Sequence, residues 1–128
     1  MNLISVLVVD DHTTFLEIVI RFLQSQEDVV IVGTAHDGKE ALLSARTLQP
    51  QVILLDLAMP GLSGLEVIPH LHAILPTVAI IIMSLLDVDG YRQAALALGA
   101  TAFVSKSTLA TDLLPTIRQV AQASRPPP

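Results

Sequence analysis

The chain has 128 residues, a formal net charge of −5 and no cysteine, which excludes disulfides and thiolate metal centres and argues against binding the phosphate backbone of nucleic acid. Apolar residues make up 52% and aromatic ones only 3%, so the length suffices for a single domain around an aliphatic core. That composition fits a reducing cytoplasm, and without a basic N-terminal region or a small-residue cleavage site no signal peptide is expected.

The first element, Ile4–Val9, is a short apolar run closed by Asp10, Asp11 and His12, as in a strand buried on both faces that ends in two adjacent carboxylates. Next, Phe15, Leu16, Val19, Phe22 and Leu23 share one helical face, with Glu17, Arg21 and Gln24 opposite. A second strand is predicted over 29–34. Asp37 and Glu40 then have the spacing of a capping box opening a helix that runs to about Leu48. The third strand, 52–55, is followed by Asp56 in VILLDLAMP, and Ser63 and Glu66 repeat the capping spacing.

Residues 67–86 carry no Asp, Glu, Lys or Arg and could by length span a bilayer. Pro69, Pro76, His70, His72 and the β-branched AIIIM divide them instead into a helix end, a turn and a fourth strand over 78–83, followed by Ser84. Val88, Tyr91, Ala95 and Leu98 form the stripe of a fourth helix that Gly99 ends. The fifth strand, 102–104, leads to Lys106, and Leu113, Leu114, Ile117, Val120 and Ala121 mark the fifth helix. Pro69 and Pro115 each remove a backbone donor and should kink or shorten their helices. The domain is expected over 1–123, with 124–128, SRPPP, as a tail or the start of a linker.

Five βα units predict an α/β fold, a doubly wound parallel sheet of order 2-1-3-4-5 with helices on both faces; a barrel would need eight. In that order the first and third strands are neighbours at the switch point, where ligands bind. Asp10, Asp11 and Asp56 therefore converge on one crevice. Carboxylates so close repel unless cations intervene, and magnesium, a hard ion that takes carboxylates, waters and phosphate oxygens, answers that need. Ser84 and Lys106 put a hydroxyl and an ammonium on the same rim.

VVDDH, LLDLAMPGLSGLE, MS and GATAFVSK, each at a strand end, together resemble the receiver domain (CheY-like) of bacterial two-component response regulators over essentially the whole chain. DDH, and Ser rather than Pro after Lys106, resemble the branch usually fused to a LuxR-type helix-turn-helix domain. The resemblance implies a switch, a regulatory domain rather than an enzyme beyond its own phosphorylation and dephosphorylation. Asp56 would accept a phosphoryl group from a histidine kinase, a phosphotransfer protein or a small donor such as acetyl phosphate. Asp11, Asp56 and the backbone carbonyl of Ala58 would ligate Mg²⁺ directly, with Asp10 acting through water. Lys106 and Ser84 would hold phosphoryl oxygens, and Phe103 would be the aromatic switch. The fourth helix, fifth strand and fifth helix, with Leu96, would form the partner or homodimer face; neither nucleic acid nor membrane is an expected partner of this domain.

Each assignment has a structural rival: Asp10 or Asp11 as a cap of the first helix, Asp56 as a turn former, Lys106 as a solvated lysine, Ser84 as a junction hydroxyl, Phe103 as core and His12 as a helix-start residue beside the pocket. His36, His70 and His72 lack partners at metal-site spacing. Phe103, without a hydroxyl, offers no hydrogen-bonded signal at the output face, while Ala58 without a polar side chain and the bulk of Leu86 beside the same opening imply slow loss of the phosphoryl group. Three other readings are a receiver fold working as an unphosphorylated interaction module, an aspartyl-phosphate hydrolase, whose Asp-x-Asp pattern is not met by Asp10-Asp11-His12, and a flavodoxin, whose phosphate loop these acids would repel.

Overall fold

Each apolar run forms a strand and each amphipathic stretch a helix in the computed structural model, which describes residues 3–59, 61, 63–85 and 89–123. In chain order these are β1 (Ile4–Val9), α1 (Thr13–Gln24), β2 (Val29–Ala35), α2 (Gly38–Leu48), β3 (Val52–Asp56), α3 (Gly64–Ile74), β4 (Ala79–Ser84), α4 (Asp89–Ala97), β5 (Ala102–Ser105) and α5 (Leu109–Ala123), with a 3₁₀ turn over Lys106–Thr108. All strand pairs are parallel and the order is β2-β1-β3-β4-β5, as the sequence predicts.

Strand ends differ from the predicted ones by a residue, for reasons of hydrogen bonding. Val78 gives its N–H to Leu75 O in the preceding turn, so β4 starts at Ala79. At the other end Ser84 pairs with Ser105, and Asp56 pairs with Met83, which draws both polar residues into the ladder.

Because successive side chains point to opposite faces, each strand feeds two cores. Val6, Val8, Leu54, Ile81 and Met83 pack with Leu16, Val19 and Leu23 of α1 and Leu113 and Ile117 of α5. Leu7, Val9, Ile53, Leu55, Ile80 and Ile82 pack on the other side with Ala41 and Ala45 of α2, Val67, Ile68 and Leu71 of α3 and Ala95 of α4. Among the described residues no charged group enters either layer until the strands end, so the polar chemistry collects at their carboxyl ends.

The capping predictions hold: Asp37 accepts from Glu40 N at 2.7 Å and Ser63 from Glu66 N at 3.3 Å. The predicted α4 stripe does not. Tyr91 and Leu98 are 43% and 41% exposed, leaving Ala95 as the buried contact among the described residues, while Val88 lies outside them. This nine-residue helix seats Ala95 against its neighbours, leaves Ala94 half-buried and turns Tyr91, Arg92, Gln93, Leu96 and Ala97 outward. Gly99 at φ +115° ends that segment as expected. Pro69 and Pro115 do not shorten their helices, which run on to Ile74 and Ala123. Both prolines are exposed, so water can reach the carbonyls they leave without a donor. Leu86 and the 124–128 tail also lie outside the described residues.

The segment long enough to span a bilayer is divided as predicted, with α3 ending at Ile74 and β4 beginning at Ala79. No helix among the described residues is long and apolar enough to cross a membrane.

Candidate functional site

Val9 pairs with Ala35 on one side and Leu55 on the other, so β1 and β3 end together and release Asp10, Asp11 and Asp56 into one crevice. Asp10 and Asp56 are 0% and 3% exposed. One ligand atom from each of Asp10, Asp11, His12 and Asp56 lies within 4.8 Å of all the others.

Both oxygens of Asp10 are engaged. Oδ1 accepts the backbone N–H of His12 at 2.8 Å, and Oδ2 accepts from Lys106 Nζ at 2.8 Å. Asp10 thus supports the entry to α1 through a backbone amide while holding the site's ammonium. His12 takes the N-cap position without a side-chain cap bond. Its Nδ1 stands 3.2 Å from Asp11 Oδ1, and the ring is a fourth candidate ligand that the sequence placed only beside the pocket.

Lys106 is not a solvated lysine: its side chain is 6% exposed, and its Nζ also lies 3.4 Å from Asp56 Oδ1. The 3₁₀ turn that begins at Lys106 turns it back over the strand ends. Asp56 is pushed up to about 6, first by burial and then by the neighbouring Asp10 charge, with Lys106 and the Ala58 backbone amide pulling partly back.

Asp56 Oδ2 and Asp11 Oδ1 are buried without hydrogen-bond partners. Orphaned buried carboxylate oxygens are costly, and two in one acidic crevice fit a hard divalent cation such as Mg²⁺, which binds through oxygen. Asp10, with neither oxygen spare, fits a supporting role better than direct ligation. Ala58 is exposed just beyond Asp56, at the edge of a groove of about 390 Å³ that Met59, Ser63 and Tyr91 also line.

Ser84 is 2% exposed at the end of β4, one residue past the Met83 that pairs with Asp56. Phe103 is half-buried on β5, beneath the Arg92 guanidinium of α4 at 4.9 Å from the ring centroid. His72 gives structure rather than a ligand: its Nε2 lies 2.7 Å from Gly99 O.

Two residues at the site were not singled out from sequence. A Cβ on Gly64 would stand 2.5 Å from Asp56 O and 2.7 Å from Leu57 Cα, so only glycine lets α3 start against the Asp56 backbone. Gly64 N also donates to Leu57 O at 3.1 Å. The second is Phe15, counted in sequence as a core residue of α1, whose ring centroid lies 4.2 Å from Lys106 Nζ. A glycine immediately after the Ser63 cap and an aromatic in the first turn after the acid pair were the signals available.

Comparison with known proteins gives one consistent relationship. Residues 6–118 match the family model of the response regulator receiver domain. The chain is 33% identical over 123 residues to the response regulator GacA of Pseudomonas protegens, covering 96% of this chain and 58% of GacA. It therefore spans less than two thirds of that curated relative. The response regulator domain of Thermotoga maritima CheB superposes with a TM-score of 0.87 at 35% identity, covering 98% of this chain and all of that one. A LuxR-family two-component response regulator from Aurantimonas sp. SI85-9A1 superposes with a TM-score of 0.91 at 25% identity, covering 97% and 89% of the two chains.

Proposed function

The chain belongs to the response regulator receiver domain family, and from that premise we propose that it is a phosphorylation-dependent switch whose phosphoacceptor is Asp56. The observation that carries this reading is the buried, orphaned Oδ2 of Asp56, in a carboxylate whose other oxygen lies 3.4 Å from the Lys106 ammonium. The oxygen attacks phosphorus in a phosphohistidine of a kinase or phosphotransfer protein, or in acetyl phosphate. A P–O bond to Asp56 forms as the P–N bond of the phosphohistidine or the P–O bond of acetyl phosphate breaks; the imidazole leaves with a proton from solvent, and acetate leaves as the anion.

Asp11, Asp56 and the Ala58 carbonyl would hold Mg²⁺ directly, and Asp10, whose two oxygens are already engaged, would support it through water. When bound, Mg²⁺ neutralises charge on the transferring group, so that Asp56 can meet a phosphate anion without repulsion. Lys106 neutralises one phosphoryl oxygen and Ser84 donates to another. Ala58 offers no polar side chain to direct an attacking water, so the phosphoryl group is lost slowly. The output belongs to a fused DNA-binding domain, as the LuxR-branch resemblance implies, and the setting is cytoplasmic. α4, β5 and α5 form the face that meets a partner or a second copy.

Mass spectrometry after incubation with acetyl phosphate and Mg²⁺ tests the assignment. One phosphoryl group should appear on the peptide containing Asp56 and none on the Asp56→Asn chain. Labelling elsewhere contradicts it, and no uptake by the wild-type chain favours the unphosphorylated interaction module.

A further inference from the structure

The Lys106 ammonium has three N–H donors and a side chain almost wholly withdrawn from water. Asp10 Oδ2 at 2.8 Å and Asp56 Oδ1 at 3.4 Å lie on two sides of it. The Phe15 ring lies on another, its centroid 4.2 Å from Nζ, well within the distance at which the negative face of an aromatic ring attracts a cation. Phe15 is itself half-buried against the core between the sheet, α1 and α5, so the ring is held by packing.

We propose that Phe15 is the positioning residue of Lys106: its ring seats the ammonium against Asp10 and Asp56 while leaving it available to an incoming anionic oxygen. An aromatic face suits this task because of what it lacks. A third carboxylate there would hold the ammonium by a charge-assisted hydrogen bond and compete with the phosphoryl oxygen. An aliphatic side chain would exclude water without offering any attraction. The ring does both: it shields the ammonium and holds it weakly enough to yield. Lys106 can then shift toward a new oxygen on Asp56 with little rearrangement, the condition for preorganised electrostatic stabilisation.

The binding half of this proposal rests on the phosphoacceptor reading; the contact itself does not. Lys39 and Lys106 are the two lysines of the chain, so protein labelled at lysine Cε gives two side-chain signals, with the exposed Lys39 as internal reference. In the wild-type chain the Lys106 Hε resonance should lie upfield of that of Lys39, because it sits over a ring face. Phe15→Leu, which keeps apolar bulk and removes the π face, should move it back toward Lys39, and Phe15→Trp should keep it upfield. The dissociation constant for beryllofluoride with Mg²⁺ should rise about three- to tenfold in Phe15→Leu and stay within about twofold of wild type in Phe15→Trp.

Unchanged Lys106 shifts in Phe15→Leu overturn the contact. A shift that moves while beryllofluoride binds as before overturns the positioning role, as does a Phe15→Trp chain that binds as weakly as Phe15→Leu. A wild-type chain that binds no beryllofluoride, with the upfield shift intact, instead overturns the phosphoacceptor reading and takes the positioning role with it.

Discussion

Asp56 is harder to ionise in the folded chain than in the unfolded one, where its value is near 3.8, because burial and Asp10 push it to about 6. Between those values the native state holds the extra proton, so this residue's contribution favours folding in acid and is lost as pH rises through about 6. In metal-free solution Asp56→Asn should therefore be more stable than wild type at pH 8, by about 2–3 kcal/mol, with the gap closing toward pH 4. Urea unfolding in the presence of a chelator at the two pH values measures this; equal stability at pH 8 would show that Asp56 is not electrostatically strained. Asp10 and Asp11 differ in the same local terms. Asp10 is saturated by Lys106 and the His12 amide, whereas Asp11 Oδ1 has no hydrogen-bond partner. Mg²⁺ affinity by calorimetry should consequently fall further in Asp11→Ala than in Asp10→Ala, and equal losses would remove the distinction between direct and water-mediated ligation.

At the scale of elements, the site depends on how closely α3 begins against the end of β3. Gly64→Ala would force a methyl group into the backbone of Asp56 and Leu57, which cannot yield as a flexible side chain would. Overpacking of this kind costs about 1–3 kcal/mol, and here it should also displace Asp56 and weaken beryllofluoride binding. Denaturant titration and beryllofluoride affinity check it; loss of stability with binding intact would mean that the loop is not coupled to that contact. This dependence was hard to see in sequence, because period and capping locate a helix without saying how near its start comes to a neighbouring strand. What sequence did locate well were β1 and β3, whose almost wholly apolar runs admit one reading, and α2 and α3, whose Asp37 and Ser63 caps are local chemistry. The α4 stripe failed for the opposite reason. Tyr91 and Leu98 have helical spacing with Ala95, but exposure there is set by the layer beneath, which periodicity does not contain. Of the site, Asp10, Asp11, Asp56 and Lys106 were legible as charges at the ends of buried strands. Phe15 was not, since an aromatic on an apolar stripe looks the same whether it faces core or cation.

Across the whole molecule, an aliphatic sheet carries its buried acids at the carboxyl ends of its inner strands and a largely exposed helix, α4, on one face. Leu96 on α4 is 44% exposed, and Arg92 of the same helix stacks over Phe103 of β5. A group bound at Asp56 can alter that face only through contacts that differ between two states. Lys106 and Ser84 would supply them, since Ser84 ends β4 and Lys106 follows β5 and begins the turn into α5. The central claim is thus that chemistry at Asp56 is felt across α4, β5 and α5. Comparing backbone amide chemical shifts with and without beryllofluoride and Mg²⁺ tests it most directly. The account predicts changes at Asp10, Asp11, Asp56 and Lys106 that extend through residues 89–118, including Leu96 and Phe103; changes confined to the loops around Asp56, with 89–118 unmoved apart from Lys106, would contradict it.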